Sequence, residues 1–211
     1  MEGMKLAPKV KNMYQAVIEL MIEGADLNNL TVAEITARAG IGKGTAYEYF
    51  SNKEEMIAGA LFYEVENSCR SLCGRMRQQE SLYERINLIL MDMEEHIVKT
   101  NCFLRAVQIL MDNSAISSKL HEMIKSKKEG EILIMDMIGM VIDEETTTGE
   151  KLTAEKRTYL VMMVLSKIVC FAMYLFSAKN EIHSDCNTMR ELICKSTCRE
   201  IENFKKEEQG N

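Results

Sequence analysis

Glycines and side chains that often meet phosphate groups are concentrated in one segment, GIGKGTAYEYF at residues 40–50. A Walker nucleotide-binding loop places a lysine directly before a serine or threonine, whereas Gly44 separates Lys43 from Thr45 here. A dinucleotide-binding loop needs a third glycine at the position that Thr45 holds. Both loops also follow a β-strand, and the preceding residues have the spacing of a helix instead. The segment therefore does not predict a nucleotide-binding loop.

The residues around this segment predict two short helices joined by a tight turn. Thr31 and Glu34 have the spacing of a capping box, which would start a helix over residues 32–39. Residues 40–42 would form the turn, and residues 43–50 the second helix. Such a pair is a helix-turn-helix, whose second helix enters the major groove of DNA. The segment is thus predicted to meet the phosphates of a DNA backbone.

Two longer helices are predicted to flank this pair. Pro8 would begin the first, which would run to about Gly24. Ser51 and Glu54 have the spacing of a second capping box, and the helix after it would reach about Arg75. The predicted core of this module consists of apolar residues at helical spacing: Val10, Tyr14, Val17, Ile18, Met21, Ile35, Ala39, Ile41, Ala46 and Phe50.

The rest of the chain is also predicted to be helical. Of the 211 residues, 46% are hydrophobic and only one is a proline, and the long apolar runs have helical spacing. The further helices are predicted at about 81–100, 102–112, 115–142 with a bend near Gly130, 153–178 and 185–206. We therefore expect an all-α protein with a DNA-binding domain at residues 1–53 and a larger helical bundle at residues 54–211.

The charge is unevenly distributed along the chain. Residues 1–53 contain six Lys or Arg and six Asp or Glu, so the net charge of −6 lies entirely on residues 54–211. An acidic protein is not typical of general DNA binders. A neutral module can still bind DNA through a few well-placed contacts. Residues 1–12 have no apolar stretch after their charges, so we expect no signal peptide and a cytoplasmic location.

The longest apolar run, residues 159–176, is interrupted by Ser166 and Lys167. A lysine in the middle of a membrane span is costly, so we expect a helix within the protein and no membrane insertion. A helix that is apolar nearly all round must be buried on more than one side. A single chain of this size would leave one side of it exposed, which favours an oligomer.

Seven cysteines include two pairs with a spacing of four, Cys69 with Cys73 and Cys194 with Cys198. Each pair would share a helix face and could hold a soft metal or sense oxidation. Buried thiols also pack as small hydrophobic groups, and both interpretations remain open. No nucleophile motif or HExxH sequence is present. We expect a protein that is not an enzyme and uses no cofactor.

Residues 31–61, TVAEITARAGIGKGTAYEYFSNKEEMIAGAL, resemble the DNA-binding signature of the TetR family of bacterial one-component transcriptional regulators. The shared features are the capping threonine, the Ala-Gly-aliphatic turn, the Gly-Thr-aliphatic-Tyr-x-Tyr-Phe segment and the Lys-Glu-Glu helix start. The remaining three-quarters of the chain resemble the family only in length and helical character. This chain departs from the pattern at Gly42, where Ser or Thr is common, at Ala46, which replaces a larger aliphatic residue, and at residues 24–30, a turn one residue longer than usual.

The resemblance and the chemistry of the side chains together indicate a set of DNA contacts. The predicted DNA-binding residues are Thr31, Lys43, Gly44, Thr45, Tyr47, Tyr49 and Lys53. Thr31 would cap a helix and bind a phosphate there. Gly44 would allow close approach, and Thr45 would reach a base or a thymine methyl group. The tyrosine hydroxyls would reach phosphates, although Tyr49 could pack against its own helix instead.

Three neighbouring charges have competing interpretations. Lys53 stands at a helix start, which is unfavourable for a cation unless an anion lies nearby, so a phosphate contact is favoured. Glu48 could accept a hydrogen bond from a cytosine amine, but a solvent-exposed role is the simpler one. Arg38 could touch the DNA backbone, and a surface charge on the second helix is again the default.

The resemblance also implies what the larger domain does. It implies a homodimer formed through the last two helices, a near-palindromic double-stranded DNA operator, and a small-molecule effector held inside the bundle. Seventeen methionines suit an adaptable apolar pocket, although methionine also simply fills cores. The predicted effector-binding residues are Met93, His96, Phe103, Met137, Met163, Phe171 and Tyr174. We expect a repressor released by a small apolar ligand, with a redox- or metal-responsive regulator as the alternative.

Overall fold

The computed structural model describes residues 6–99, 102–146, 152–177 and 185–209, with side chains except at 96–99, 102, 176–177 and 207–209. Within these ranges the protein forms ten α-helices and no β-strand, which confirms the predicted all-α class. The helices are α1 (Pro8–Ile22), α2 (Val32–Ala39), α3 (Lys43–Tyr49), α4 (Lys53–Met76), α5 (Leu82–Lys99), α6 (Cys102–Met111), α7 (Ala115–Lys125), α8 (Ile134–Thr146), α9 (Ala154–Ser177) and α10 (Cys186–Gln209).

The start of α4 differs by one residue from the prediction. The predicted capping box of Ser51 and Glu54 is wrong, because Asn52 is the residue whose side chain caps the helix. The Asn52 Oδ1 accepts a hydrogen bond from the backbone N–H of Glu55 at 2.8 Å. The Glu55 carboxylate in turn accepts one from the backbone N–H of Ser51 at 2.8 Å. Asparagine caps a helix about as well as serine does. The sequence is therefore compatible with a cap at Ser51 or at Asn52, and the structure uses Asn52.

The single bent helix predicted over 115–142 is also wrong, because the chain forms two helices there, α7 and α8. After α7, the Ser126 hydroxyl donates to the carbonyl of Glu122 at 2.8 Å. Gly130 has a φ of 90°, which no right-handed helix contains. The Asp136 carboxylate then accepts from the backbone N–H of Leu133 at 2.9 Å and starts α8. Local caps on both sides therefore replace a bend with a break.

The chain divides into two compact units. The first unit comprises Met1–Ser68 and Val98–Glu131, and the second comprises Cys69–Ile97 and Ile132–Asn211. In the first unit α1 packs on α2, α2 on α3, and α6 on α7. In the second unit α8 packs on α9, and α9 on α10. The whole predicted helix-turn-helix lies in the first unit.

The core of the helix-turn-helix follows the predicted apolar spacing. The buried residues of the predicted set are Val10, Tyr14, Val17, Ile18, Met21, Ile35, Ala46 and Phe50, whereas Ala39 and Ile41 are half-buried. The rings of Tyr14 and Phe50 meet with centroids 5.7 Å apart, which joins α1 to the end of α3. Burial of these side chains supplies the main stabilisation of a module this small.

Helix α9 buries one face and exposes the other. Leu160, Val164 and Phe171 are among its buried residues. On the opposite face Tyr159 and Met162 keep 61% and 58% of their surface exposed. Residues Ala154–Leu175 are long and apolar enough to cross a membrane by length and composition alone, a criterion that core helices of soluble proteins also meet.

Polar contacts attach α9 to α10 within the second unit. The Lys167 ammonium donates to the Ser196 hydroxyl at 3.1 Å and pairs with the Glu200 carboxylate at 2.9 Å. The rings of Tyr159 and Phe204 are stacked, with centroids 6.0 Å apart. Lys167, which interrupts the apolar run in the sequence, therefore faces a polar partner.

Candidate functional site

The start of α2 is fixed by the predicted capping box. The backbone N–H of Glu34 donates to the Thr31 hydroxyl oxygen at 3.2 Å, and the Glu34 carboxylate accepts from the backbone N–H of Thr31 at 2.8 Å. The Thr31 hydroxyl donates to the same carboxylate at 2.6 Å. These bonds, led by the one from the hydroxyl, lower the pKa of Glu34. The capping role of Thr31 is confirmed, and its phosphate contact stays a prediction.

The turn between α2 and α3 depends on a left-handed residue. Gly40 has a φ of 66° and is the residue that caps the end of α2. The backbone N–H of Ile41 then donates a hydrogen bond to the carbonyl oxygen of Thr36 at 2.9 Å. Glycine takes this conformation without the steric cost that a Cβ brings. Gly42 then caps α3 in an extended conformation and without a side-chain hydrogen bond. The turn sets the direction in which α3 leaves α2.

Helix α3 presents most of the predicted DNA-binding residues to solvent. Lys43 and Gly44 are exposed, and Tyr47 and Tyr49 keep 59% and 41% of their surface accessible. Thr45 is half-buried. A Cβ placed on Gly44 would meet no atom within 4 Å, so the backbone there faces open space. The exposed face of α3 therefore offers an ammonium group and two phenol hydroxyls to a partner.

Lys53, the first residue of α4, is held in place by the turn between α1 and α2. Its ammonium donates to the backbone carbonyl of Asn28 at 2.7 Å, and its charge helps to lower the pKa of Glu34. An ammonium group has three donors, so this bond leaves two for a phosphate. The contact with Asn28 was not predicted, because the two residues lie 25 positions apart in the sequence.

Arg38 has a partner within the protein. Its two terminal nitrogens donate to the two carboxylate oxygens of Glu23, at 2.8 and 2.6 Å. The side chain of Glu19 lies 3.6 Å from the same guanidinium. Arg38 therefore links α2 to α1, and this role favours neither of the two interpretations drawn from the sequence.

The predicted effector-binding residues are placed in both units. Met93 on α5 and Met137 on α8 are buried in the second unit, and Met163 on α9 is half-buried there. Phe103 lies half-buried on α6 in the first unit. His96 belongs to α5, but its side chain lies outside the described residues.

Two of the predicted effector-binding residues are in direct contact. The rings of Phe171 and Tyr174 are stacked with centroids 6.0 Å apart. Burial, and then the neighbouring Cys186, raise the pKa of the Tyr174 hydroxyl. Tyr174 is therefore a neutral phenol at physiological pH, next to a fully buried aromatic ring.

A small cavity is present in the second unit. Cys73, Arg85 and Met140 are among its lining residues, and its volume is about 20 Å³. That volume holds roughly one water molecule. None of the predicted effector-binding residues lines it. The predicted effector-binding residues therefore lie outside this cavity.

Three of the paired cysteines are poorly placed for thiolate chemistry. Cys69, Cys73 and Cys194 are buried. Burial raises the pKa of the Cys73 thiol, and burial together with the neighbouring Cys198 raises that of Cys194 to about 11. The thiolate is the form that binds metals and reacts with oxidants. Among the described residues no group of three or more His, Cys, Asp and Glu side chains is positioned to hold a metal. The burial and the raised pKa values of these thiols favour packing over sensing.

The helix-turn-helix region matches a known family. Residues 18–60 match the bacterial regulatory proteins of the tetR family. The matched residues extend from the second half of α1, through α2 and α3, into α4.

A curated relative is similar over part of its length. The chain is 23% identical over 113 residues to the nucleoid occlusion factor SlmA of Colwellia psychrerythraea. The aligned region is 54% of this chain and 50% of that protein, so the chain spans about half the length of the relative.

Solved structures share the fold along most of the chain. FadR from Bacillus subtilis, a transcriptional regulator in complex with stearoyl-CoA, is 14% identical with a TM-score of 0.66, over 89% of this chain and 96% of that one. The fatty acid degradation regulator FadR from Bacillus halodurans is 14% identical with a TM-score of 0.67, over 92% and 96% of the two chains. At these identities the likeness concerns the fold alone. The capped helix-turn-helix and the family match across residues 18–60 confirm the resemblance of this chain to the TetR family of bacterial transcriptional regulators.

Proposed function

We propose that this chain is a repressor that binds a near-palindromic DNA operator as a homodimer and is released by a small apolar effector. The observation that carries the proposal is the exposed surface of α3, where Tyr47 and Lys43 project from a helix whose start and end are fixed by the turn and by Phe50. A recognition helix needs such a rigid base, because hydrogen bonds to base edges tolerate little displacement.

The proposed DNA contacts divide into two kinds. Thr45 and Gly44 open α3, and the first residues of a recognition helix are the ones that reach base edges. Tyr47, Tyr49 and Lys53 would bind backbone phosphates and fix the register of the helix in the groove. Lys43 and Thr31 would add further phosphate contacts, in which Thr31 would share its hydroxyl between Glu34 and the DNA.

The proposed dimer interface is the exposed face of α9. Tyr159, Met162, Cys170 and Met173 are exposed at helical spacing, and Leu192 extends apolar surface onto α10. Only 39% of the most apolar stretch of α9 is buried within the chain. Covering this face with the same face of a second chain would remove it from water. Two recognition helices roughly 34–36 Å apart could then read the half-sites of one operator.

The proposed effector is a molecule with an apolar chain that enters the second unit among Met93, Met137 and the stacked pair of Phe171 and Tyr174. The stearoyl-CoA in the Bacillus subtilis structure motivates a long-chain acyl-CoA as the first compound to test. For release, the effector must bind the conformation with low DNA affinity more tightly than the one with high affinity.

The DNA-binding proposal is tested by fluorescence anisotropy with the DNA upstream of the gene and with fragments selected from the genome. We expect a Kd of about 10 nM or tighter, which weakens as salt rises. Tyr47→Ala and Lys53→Ala should each weaken binding at least about fivefold by removing phosphate contacts. Lys9→Ala, an exposed lysine on α1, is the matched control. If no fragment binds better than random DNA, the proposal fails.

The dimer is tested by sedimentation velocity. Met162→Glu and Met173→Glu place a charge on the exposed face of α9 and should convert the dimer to a monomer. Met111→Glu changes a methionine that is 83% exposed on α6 and should leave the dimer intact. Wild-type sedimentation of both α9 variants would contradict the proposed interface.

The effector is tested on the same protein–DNA complex. Stearoyl-CoA should lower the bound fraction of DNA, whereas free coenzyme A should not, because the proposed pocket binds the apolar chain. Unchanged DNA binding with stearoyl-CoA would reject the long-chain acyl-CoA as effector while leaving the DNA-binding proposal standing.

A further inference from the structure

Helix α3 carries one charged side chain that the proposed function does not use, the carboxylate of Glu48. This side chain is exposed, and within the described part of the chain no hydrogen bond or ion pair joins it to another residue. Lys43 and Lys53 are the nearest cations along the sequence. The ammonium of Lys53 instead donates to the backbone carbonyl of Asn28 at 2.7 Å. Glu48 therefore brings an uncompensated negative charge to the predicted DNA-binding surface.

Helix periodicity fixes the direction in which Glu48 projects. A helix turns by about 100° per residue, so Glu48 lies about 200° around the axis from Ala46, the buried residue of α3. It is therefore nearly opposite the side of α3 that packs on the protein. Tyr47 and Tyr49 lie on its two sides, and Thr45 is its neighbour one turn earlier. Glu48 thus projects from the centre of the outer face of α3.

This outer face is the one that a recognition helix turns towards the major groove of DNA. DNA carries a negative charge about every 1.7 Å along its axis, so a carboxylate on this face opposes the binding of every sequence. The repulsion is offset only where a base donates a hydrogen bond to the carboxylate. Thymine and guanine present acceptors in the major groove, and the amino group of adenine stands beside the acceptor N7. Cytosine, with its N4 amino group, is therefore the base that suits a carboxylate best.

We infer that Glu48 is a specificity-determining residue, which accepts a hydrogen bond from the N4 amino group of a cytosine in the operator. This role rests on the proposed function, in which α3 enters the major groove, and it adds a base contact to those of Gly44 and Thr45. Since the proposed dimer has two copies of α3, the operator contains one such cytosine in each half-site. The carboxylate acts mainly by weakening the binding of other sequences, because specificity is a difference between affinities.

The first test is a selection of bound duplexes from a random DNA library, with the full-length wild type and Glu48→Ala compared. Wild type should select cytosine at one position of each half-site, whereas Glu48→Ala should select no base there and keep the rest of the site. Fluorescence anisotropy then measures the loss of affinity when this cytosine is replaced by thymine, which has the acceptor O4 in place of the amino group. We expect a loss of at least about tenfold for wild type and of less than about twofold for Glu48→Ala.

Glu48→Gln separates base recognition from simple charge repulsion. A glutamine amide both donates and accepts hydrogen bonds, and it matches N6 and N7 of adenine. The preferred base at the same position should therefore change from cytosine to adenine. A carboxylate that only repels phosphates would instead give the two variants one shared preference and tighter binding to random DNA. Glu129→Gln removes the same charge from an exposed position between α7 and α8, and should keep the wild-type preference.

Two results would overturn the inference. The first is that both Glu48 variants select the same sites as wild type, with the same loss of affinity on replacing cytosine by thymine. The second is that the two variants share one preference and both bind random DNA more tightly, which would leave charge repulsion as the whole effect. In either case wild type still selects a sequence, so the DNA-binding proposal stands. A wild-type protein that selects no sequence would reject both proposals.

Discussion

The guanidinium of Arg38 on α2 binds both carboxylate oxygens of Glu23, the residue that ends α1, at 2.8 and 2.6 Å. The hydrogen bond from Arg38 is the main cause that lowers the pKa of Glu23. A two-pronged contact of this kind restrains the angle between two helices more than a single ion pair does. It therefore helps to hold α2, and with it the turn to α3, against α1.

Arg38→Met should lower the midpoint of thermal unfolding at neutral pH by about 1–3 °C, because the pair is exposed and such pairs are weak. When folding lowers the pKa of a carboxylate, the ionised carboxylate stabilises the folded state at any pH above the pKa of the unfolded chain. This stabilisation is lost as the pH falls through the lower pKa of the folded state. The difference from wild type should therefore vanish in acid, below the pKa of Glu23. Calorimetric scans at neutral pH and at the lowest pH at which the protein still folds measure this, with Lys9→Met as control. A difference that stays constant down to that pH would assign the effect to packing.

Gly40→Ala should destabilise the first unit by about 1–2 kcal/mol, because residue 40 has a φ of 66° and a Cβ is strained in that conformation. Gly44→Ala is the control four residues later, inside α3, where φ is not positive and the added Cβ meets no atom within 4 Å. It should stabilise by up to about 1 kcal/mol, because alanine favours helix over glycine. Urea unfolding curves compare the two, and equal effects would show that the left-handed conformation is not the cause.

Asn52→Ala should cost about 1 kcal/mol, because it removes the side chain that caps the start of α4. Ser51→Ala should cost much less, since Ser51 contributes its backbone N–H to Glu55. Chemical denaturation of the two variants decides which register the cap uses in solution. A larger loss for Ser51→Ala would restore the capping box that the sequence first indicates.

Gly59→Ala should destabilise the protein by about 1–3 kcal/mol, as overpacking of a core does. Its Cβ would collide with the hydroxyl of Tyr14, whose ring is held between Phe50 and Tyr63 and cannot easily move. Gly74→Ala lies in the same helix with no atom within 4 Å of its Cβ. It should stabilise by up to about 1 kcal/mol, because alanine favours helix over glycine. Thermal unfolding of both variants should therefore shift in opposite directions.

The buried thiol of Cys194 should make stability fall in alkali. Its pKa is raised from 9.0 to about 11, mainly by burial, so the unfolded chain loses this proton first. The stabilisation is complete below pH 9 and is lost as the pH rises through 11, at a cost on the order of 1–2 kcal/mol. Cys194→Ala should flatten the decline between pH 9 and 11, whereas Cys186→Ala, on a half-buried residue, should keep it. Parallel declines in all three proteins would rule out Cys194 as the source.

Local sequence signals predicted the helices well where the signal was unambiguous. The capping box at Thr31 and the glycine turn gave the bounds of α2 without error, since both act within four residues of the helix end. The start of α4 was less certain because Ser51 and Asn52 each have a glutamate three positions later. Between α7 and α8 the apolar spacing continues across the break, so periodicity alone could not reveal it.

Contacts between distant parts of the sequence could not be predicted. Arg38 donates hydrogen bonds to Glu23, 15 positions away in the sequence, and Lys53 donates to Asn28, 25 positions away. Both contacts form only when α1, α2 and α4 have packed together. A cavity of about 400 Å³ beside Tyr14 is likewise lined by α1 and α4, two helices between which the whole helix-turn-helix lies in the sequence. The sequence predicts which residues α3 offers to DNA, whereas what holds them in place depends on the tertiary structure.

The hydrogen bond from Lys53 to Asn28 bears on the thermodynamics of DNA binding. A free lysine has many rotamers, and immobilising one on a partner costs about 0.5–1.5 kcal/mol of entropy. Here the ammonium is already directed by a backbone carbonyl at 2.7 Å before any DNA is present. For the proposed phosphate contact, most of that entropy loss occurs during folding instead of during association. The lysine is preorganised, and its contribution to affinity should depend little on temperature compared with that of a mobile surface lysine.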